Sequence, residues 1–195
     1  MLEIVRLAPE YTEDYLYFFE HVAHTDNKAW DRCYCLNYCA ADNEEDAKTK
    51  FFDPEARREY AIRYIAAGVL QGYLAYWDGQ VVGWCNANVR NDCLRCFGRR
   101  FIYGRTVPEE ESGHIKSVFC FTVAPAYRGR HVTTALLERV IADARAESFA
   151  AVEAYPERKE MDIYYSYSGH RGLYDKLGFV QWGETEYRHI MRRTL

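Results

Sequence analysis

The sequence predicts a mixed α/β fold, with helices flanking a central sheet of about six to seven strands. Three observations lead there. Asp78-Gly79 stands between two strand-like runs, Tyr73–Trp77 and Val81–Asn86, which is a hairpin signal and implies antiparallel pairing. Between His114 and Tyr155, a β-branched and aromatic run, an apolar-striped helix and a short apolar run follow one another. Such a unit closes as a right-handed parallel crossover. Antiparallel and parallel pairs in one chain make the sheet mixed. The chain has 195 residues and 49% apolar content, enough to bury one core as a single domain over residues 1–195.

Each element follows from local pattern. Leu2 to Leu7 alternates as a first strand. Pro9 and Glu10 open a helix whose Tyr11, Tyr15, Phe18, Phe19 and Val22 fall on one face. His24 to Tyr38 is rich in Trp, Tyr and Cys but has no period, and Asn43 to Asp46 is an acidic helix start. Pro54, a favoured first-turn residue, opens a second helix with Tyr60, Ala61, Tyr64, Ile65 and Gly68 inward. Asn91 to Gly113 is polar and reads as a long connection holding a short strand or helical turn. His114 to Val123 is a strand, ended by Pro125. From Val132 the stripe of Ala135, Leu136, Val140 and Ala144 marks a helix packed on the sheet. Phe149 to Tyr155 is a short buried strand. Tyr167 to Leu177 is a short helix with Gly178 as its C-terminal glycine. Phe179–Trp182 and Tyr187–Met191 form a final strand pair.

Composition excludes several classes of function. The net charge is -4 and the pI about 5.9, so no basic field attracts nucleic acid. No apolar run reaches the roughly 18 residues of a membrane span. The first residues lack the basic-then-apolar pattern of a signal peptide, so the expected location is the cytoplasm. Seven cysteines, an odd set without an export signal, read as reduced thiols. Cys93-x-x-Cys96 has zinc-ligand spacing, but Cys33-x-Cys35 is tight for a zinc knuckle, and Cys85 and Cys120 lie in apolar runs as small core residues. No metal is expected.

The chemically informative segment runs from Val123 to Leu137: strand, short basic turn with a glycine, then helix. Free N–H groups at a helix start attract anions, the helix dipole adds to that attraction, and Arg128 and Arg130 bring charge beside them. The design suits a pyrophosphate; an ordinary strand-to-helix turn with surface arginines has the same outline. Further motifs separate the two readings. Arg128-Gly129-Arg130-His131-Val132-Thr133 stands where the GNAT acetyltransferases carry a Gln/Arg-x-x-Gly-x-Gly/Ala turn after the fourth strand. Leu173-Tyr174-Asp175-Lys176-Leu177-Gly178-Phe179 resembles their Tyr-x-x-x-Gly-Phe element, and Val82-Gly83 their third-strand pair. Other stretches, including Trp30-x-x-Cys33-Tyr34-Cys35, resemble an uncharacterised bacterial branch of that family.

The resemblance implies the acyl-CoA N-acyltransferase fold, with a sheet that splays after its fourth strand, and acetyl-CoA as cosubstrate. It implies that Phe121, Thr122 and Val123 offer backbone groups to the pantetheine arm. Arg128, Gly129, Arg130, His131, Val132, Thr133 and Thr134 would hold the phosphates. His131 and Thr133 depart from the family pattern, and a Cβ at 131 penalises left-handed backbone angles. Tyr174 is the implied acid for the leaving thiolate. For the base, Glu153 on the neighbouring strand is the candidate, beside His114 and Glu109 to Glu111; Ser117 stands where some relatives have a catalytic Glu. Trp30, Tyr34 and Cys35 would wall the acceptor site. The expected partner is a small-molecule or amino-acid-like amine, and a homodimer is compatible with the family. Two other readings stay open: a non-catalytic acyl-CoA sensor and a thiol or zinc protein.

Overall fold

The structure is a computed structural model that describes residues 1–27, 33–39, 53–94, 96, 98–103, 114–159 and 166–195. Trp30, the Asn43–Asp46 run and the Glu109–Glu111 run lie outside these residues. Among the described residues, seven strands form one sheet: β1 (Leu2–Arg6), β2 (Gly72–Trp77), β3 (Gln80–Val89), β4 (Ile115–Val123), β5 (Ala151–Ala154), β6 (Val180–Glu184) and β7 (His189–Thr194). Their spatial order is β1-β2-β3-β4-β5-β7-β6. Only β4 and β5 pair in parallel; every other neighbouring pair is antiparallel. The mixed sheet expected from the hairpin and the crossover is thus present.

The α-helices of the described residues are α1 (Thr12–Tyr17), α2 (Pro54–Ala66), α3 (Arg90–Cys93), α4 (Arg99–Tyr103), α5 (Val132–Ala146) and α6 (Arg171–Lys176). A 3-10 turn at Pro9–Tyr11 leads into α1, and a π turn at Phe18–Val22 continues it. Together they bury Tyr15, Phe18 and Phe19. Asp53 caps α2 by accepting from the Glu55 N–H, and Pro54 follows at the first turn. Along α5, Val132, Leu136, Leu137, Val140, Ile141 and Ala144 are buried, the apolar stripe read from the sequence. Each of the Val, Leu and Ile side chains among them contributes roughly 1.5–3 kcal/mol of burial. Close contact between α5 and the sheet depends on Gly83: a Cβ there would stand 2.9 Å from Val132 Cγ1.

Two irregularities shape the middle of the sheet. Asn86 faces Cys120 while Ala87 faces Val118, so Phe119 is an extra residue in β4, a bulge that bends the strand. On its other side, β4 pairs with β5 only from Ile115 to Val118. From Phe119 to Val123, β4 therefore has no strand of the described residues on that side, and the sheet is splayed there. Phe119 fills the mouth of the splay, stacked between Tyr38 and Tyr155 at ring distances of 4.9 and 5.5 Å.

The helix expected over Tyr167 to Leu177 is shorter. Residues 166–170 instead form a turn closed by a bond from Gly169 N–H to the Ser166 carbonyl, and α6 begins only after His170, which is extended. Gly178 ends α6 as expected, with the Phe179 N–H bonded back to the Tyr174 carbonyl. No helix of the described residues is long and apolar enough to cross a membrane.

Candidate functional site

A cleft of about 300 Å³ opens where the splayed edge of β4 meets the start of α5. Phe121 and Val123 form its floor. One wall is the turn and first helical residues: Tyr127, Arg128, Gly129, His131, Val132, Thr133 and Thr134. The other comes from Ser166, Tyr167, Gly169, His170 and Leu173. Sequence reasoning did not single out this second wall, whose residues approach the turn only through the fold.

The turn is built for an anion. Gly129 has φ +74 and His131 has φ 63, so two left-handed residues swing the chain from the 3-10 turn at Pro125–Tyr127 into α5. His131 is the N-cap residue and gives no side-chain cap, although a left-handed histidine costs roughly 1–2 kcal/mol relative to glycine. The amides of Val132, Thr133 and Thr134 stand before the first intrahelical bond, from Ala135 N–H to the His131 carbonyl. Three donors and the helix dipole therefore face the cleft.

The two arginines hold the turn in different ways. Arg128 donates to the Val123 carbonyl at 3.3 Å and pairs with Asp26, whose carboxyl it holds below the usual carboxylate range. Arg130 is exposed and lies over the rings of Tyr127 and Trp77, at 5.3 and 5.8 Å. Of the expected cofactor residues, all but Thr122 and Arg130 line the cleft. Thr122 faces Trp84 across the β3–β4 pair and is buried against the opposite face of the sheet.

Tyr174 lies behind the second wall, fully buried. Its hydroxyl donates to the Ser168 carbonyl at 2.5 Å, and its ring meets Phe179 edge-on at 5.3 Å. Burial pushes its phenol well above the ordinary tyrosine value. Arg188, on the β6–β7 connection, bonds the Ser168 hydroxyl at 2.7 Å and the Tyr155 carbonyl at 3.3 Å, and pairs with Glu157 at 2.8 Å.

Glu153 sits on β5, opposite Ser117 of β4 and 1% exposed. One oxygen accepts from Tyr155 (2.7 Å), Arg90 (3.3 Å) and Tyr103 (3.3 Å); the other accepts twice from Arg192. Ser117 shares a 2.7 Å bond with the same Tyr155 hydroxyl. Five donors from four side chains occupy the carboxylate, which speaks against the proton-accepting role expected of it. His114 is exposed at the far end of β4, stacked on Phe149.

Tyr34 and Cys35 do not line the cleft. Tyr34 is 0% exposed, its carbonyl accepts from Tyr15 at 2.5 Å, and its hydroxyl donates to Glu20 at 2.6 Å. Cys35 lies beneath the β4 bulge, where Asn86 bonds its carbonyl at 3.1 Å. Hydrogen bonding with the Cys120 thiol and burial both push its thiol pKa up, so it makes a poor nucleophile. Among the described residues, no three Cys, His, Asp or Glu side chains converge as a metal site.

Chemically, the cleft offers amide donors for an anionic head at one end and, along its floor, a strand edge that no neighbouring described strand covers, suited to an amide-bearing arm. The comparisons agree with that geometry. A family model described as the acetyltransferase (GNAT) family matches residues 4–179. No protein of curated function is significantly similar in sequence. Among solved structures, the fold is similar to the PaiA N-acetyltransferase of Thermoplasma acidophilum in complex with coenzyme A (12% identity, 100% of this chain and 99% of that one, TM-score 0.54). It is also similar to a ribosomal-protein-alanine N-acetyltransferase of Brucella melitensis (19%, 99% of each chain, 0.55). A polyamine N-acetyltransferase of Drosophila melanogaster is a third (13%, 100% of each, 0.54). At these identities the solved structures speak for the fold alone.

Proposed function

Because the chain belongs to the acetyltransferase (GNAT) family, we propose that this cleft holds acetyl-CoA and that the protein passes its acetyl group to the amine of a small-molecule or amino-acid-like acceptor by direct attack. The observation that carries the proposal is the juxtaposition of three uncapped amides at the start of α5 with the splayed edge of β4, in one cleft. Val132, Thr133 and Thr134 would receive the pyrophosphate, with the ring of His131 as a side-chain donor where the family has glycine. Phe121 and Val123 would bond the pantetheine arm as an added strand.

The thioester then lies toward the bulge at Phe119, where a strand N–H faces the oxygen that gains charge. The amine nitrogen forms the new C–N bond as the C–S bond breaks. The coenzyme A thiolate takes the proton of Tyr174, the excess proton on nitrogen leaves to water, and Tyr174 recovers a proton from water, so the enzyme is restored. Most of the acceleration comes from holding the amine about 3–3.5 Å from the carbonyl carbon. Glu153 enters the proposal as the residue that orients Tyr155 and Ser117 at the acceptor end. The acceptor named in a structural relative, alanine on a ribosomal protein or a polyamine, belongs to that relative; both classes are amines and both belong in the assay.

Thiol release from acetyl-CoA, measured with a panel of small amines, amino acids and polyamines, tests the proposal. Amine-dependent release is the expected result. Binding of acetyl-CoA with no release for any amine would favour the second reading, a non-catalytic acyl-CoA sensor. That reading rests on His131 in place of glycine and on the engagement of the Tyr174 hydroxyl with Ser168.

A further inference from the structure

The splayed half of β4 is already partly covered. The Phe121 N–H, which points into the splay, donates to the Tyr167 carbonyl at 2.6 Å. One residue further, the Ser168 carbonyl receives the Tyr174 hydroxyl. Two consecutive carbonyls of one turn therefore hold the strand amide that a pantetheine arm would use and the hydroxyl that would protonate the thiolate. The turn packs closely on Tyr174: a Cβ at Gly169 would stand 2.9 Å from its oxygen. It is pinned from outside by side chains. The Tyr167 ring meets His24 edge-on at 5.7 Å, and Arg188 grips the Ser168 hydroxyl. The cleft reaches inward along β4 only to Phe121; Phe119, at the bulge, does not line it. An arm that carries a thioester to the bulge must continue past Phe121, through the space this turn occupies.

We propose that residues 166–169 are a strap that occupies the pantetheine position on β4, and that the arm of coenzyme A displaces it and releases the Tyr174 hydroxyl. The inference rests on the reading of the cleft as the acetyl-CoA site. It makes entry of the arm and readiness of the acid one event: the bond from Phe121 N–H passes from the Tyr167 carbonyl to the arm, and moving Ser168 frees the phenol. A molecule whose binding must first open such a contact binds more weakly than its contacts allow, by the fraction of molecules in which the contact is open. The nucleotide half of the cofactor, which has no arm, leaves the strap in place.

Hydrogen exchange of the wild-type chain tests this, with coenzyme A and with 3′-phosphoadenosine 5′-diphosphate as separate probes. The expected result is faster exchange at residues 166–169 with coenzyme A, unchanged exchange there with the nucleotide, and slower exchange at residues 129–134 with both. Slower or unchanged exchange at 166–169 with coenzyme A overturns the strap while leaving the cleft as the cofactor site. No slowing at 129–134 with either probe overturns the cofactor reading itself, and the strap with it. Calorimetry gives a second measure. In the Ser168→Ala variant, which removes the Arg188 pin without altering a residue that lines the cleft, coenzyme A should bind about threefold tighter or more, with nucleotide affinity unchanged. Equal or weaker binding of coenzyme A would overturn the proposal.

Discussion

The Tyr174 hydroxyl has one proton and one described acceptor, the Ser168 carbonyl, in a site without solvent. Tyr174→Phe removes the proton but keeps the ring on Phe179. If the phenol is the acid, kcat should fall about 100-fold while KM for acetyl-CoA stays within about threefold, measured by thiol release. An unchanged kcat would assign Tyr174 to packing. Because burial raises its pKa, the phenol keeps its proton at least to about pH 10. Glu153 makes a different case. Glu153→Ala leaves Arg90 and Arg192 facing each other in a buried space, and the loss of stability should be about 3–5 kcal/mol in urea unfolding. A loss near zero would show that the cluster contributes no net stability. The sequence motif was enough to single out Tyr174. It could not reveal Ser168, whose contact is through backbone, nor that a strand glutamate is held by arginines distant along the chain.

At the scale of elements, local pattern was a good guide wherever one face of an element carries the signal. The hairpin at Asp78-Gly79, the stripe of α5 and Pro54 at the start of α2 all appear where their residues imply. The bulge at Phe119 left no mark, because a strand buried on both faces carries no clean two-residue alternation for an added residue to break. The turn at residues 166–170 was also missed: apolar Tyr167 suggested that the helix starts early, whereas Gly169 adopts φ +73 and His170 is extended. The turn before α5 was the most legible part of the site, since glycine, arginines and an amphipathic helix follow each other directly. The outward placement of Arg130 on Trp77 and Tyr127 was not, because Trp77 comes from the β2–β3 hairpin.

The molecule as a whole carries many buried phenols. Tyr15, Tyr155 and Tyr174 are each pushed well above the ordinary tyrosine value by burial. In the unfolded chain they would ionise near pH 10. Above that pH the unfolded state binds fewer protons than the folded one, so stability falls as pH rises. Below it these groups leave stability unchanged. Circular dichroism and tyrosinate absorbance should show buried phenols ionising together with unfolding above pH 10. Ionisation of all tyrosines near pH 10 with the fold intact would contradict their placement. The same sheet that buries these rings also opens between β4 and β5, and the central claim is that this opening, with the turn before α5, is the acetyl-CoA site. The measurement that reaches it most directly is calorimetric titration of acetyl-CoA into the wild-type chain and into the Gly129→Asp/Val132→Pro variant. That variant puts a carboxylate at a left-handed position and removes one of the three amides, at a helix position where proline is tolerated. Binding by the wild type and none by a folded variant is the expected result. Equal affinity in the two would contradict the claim.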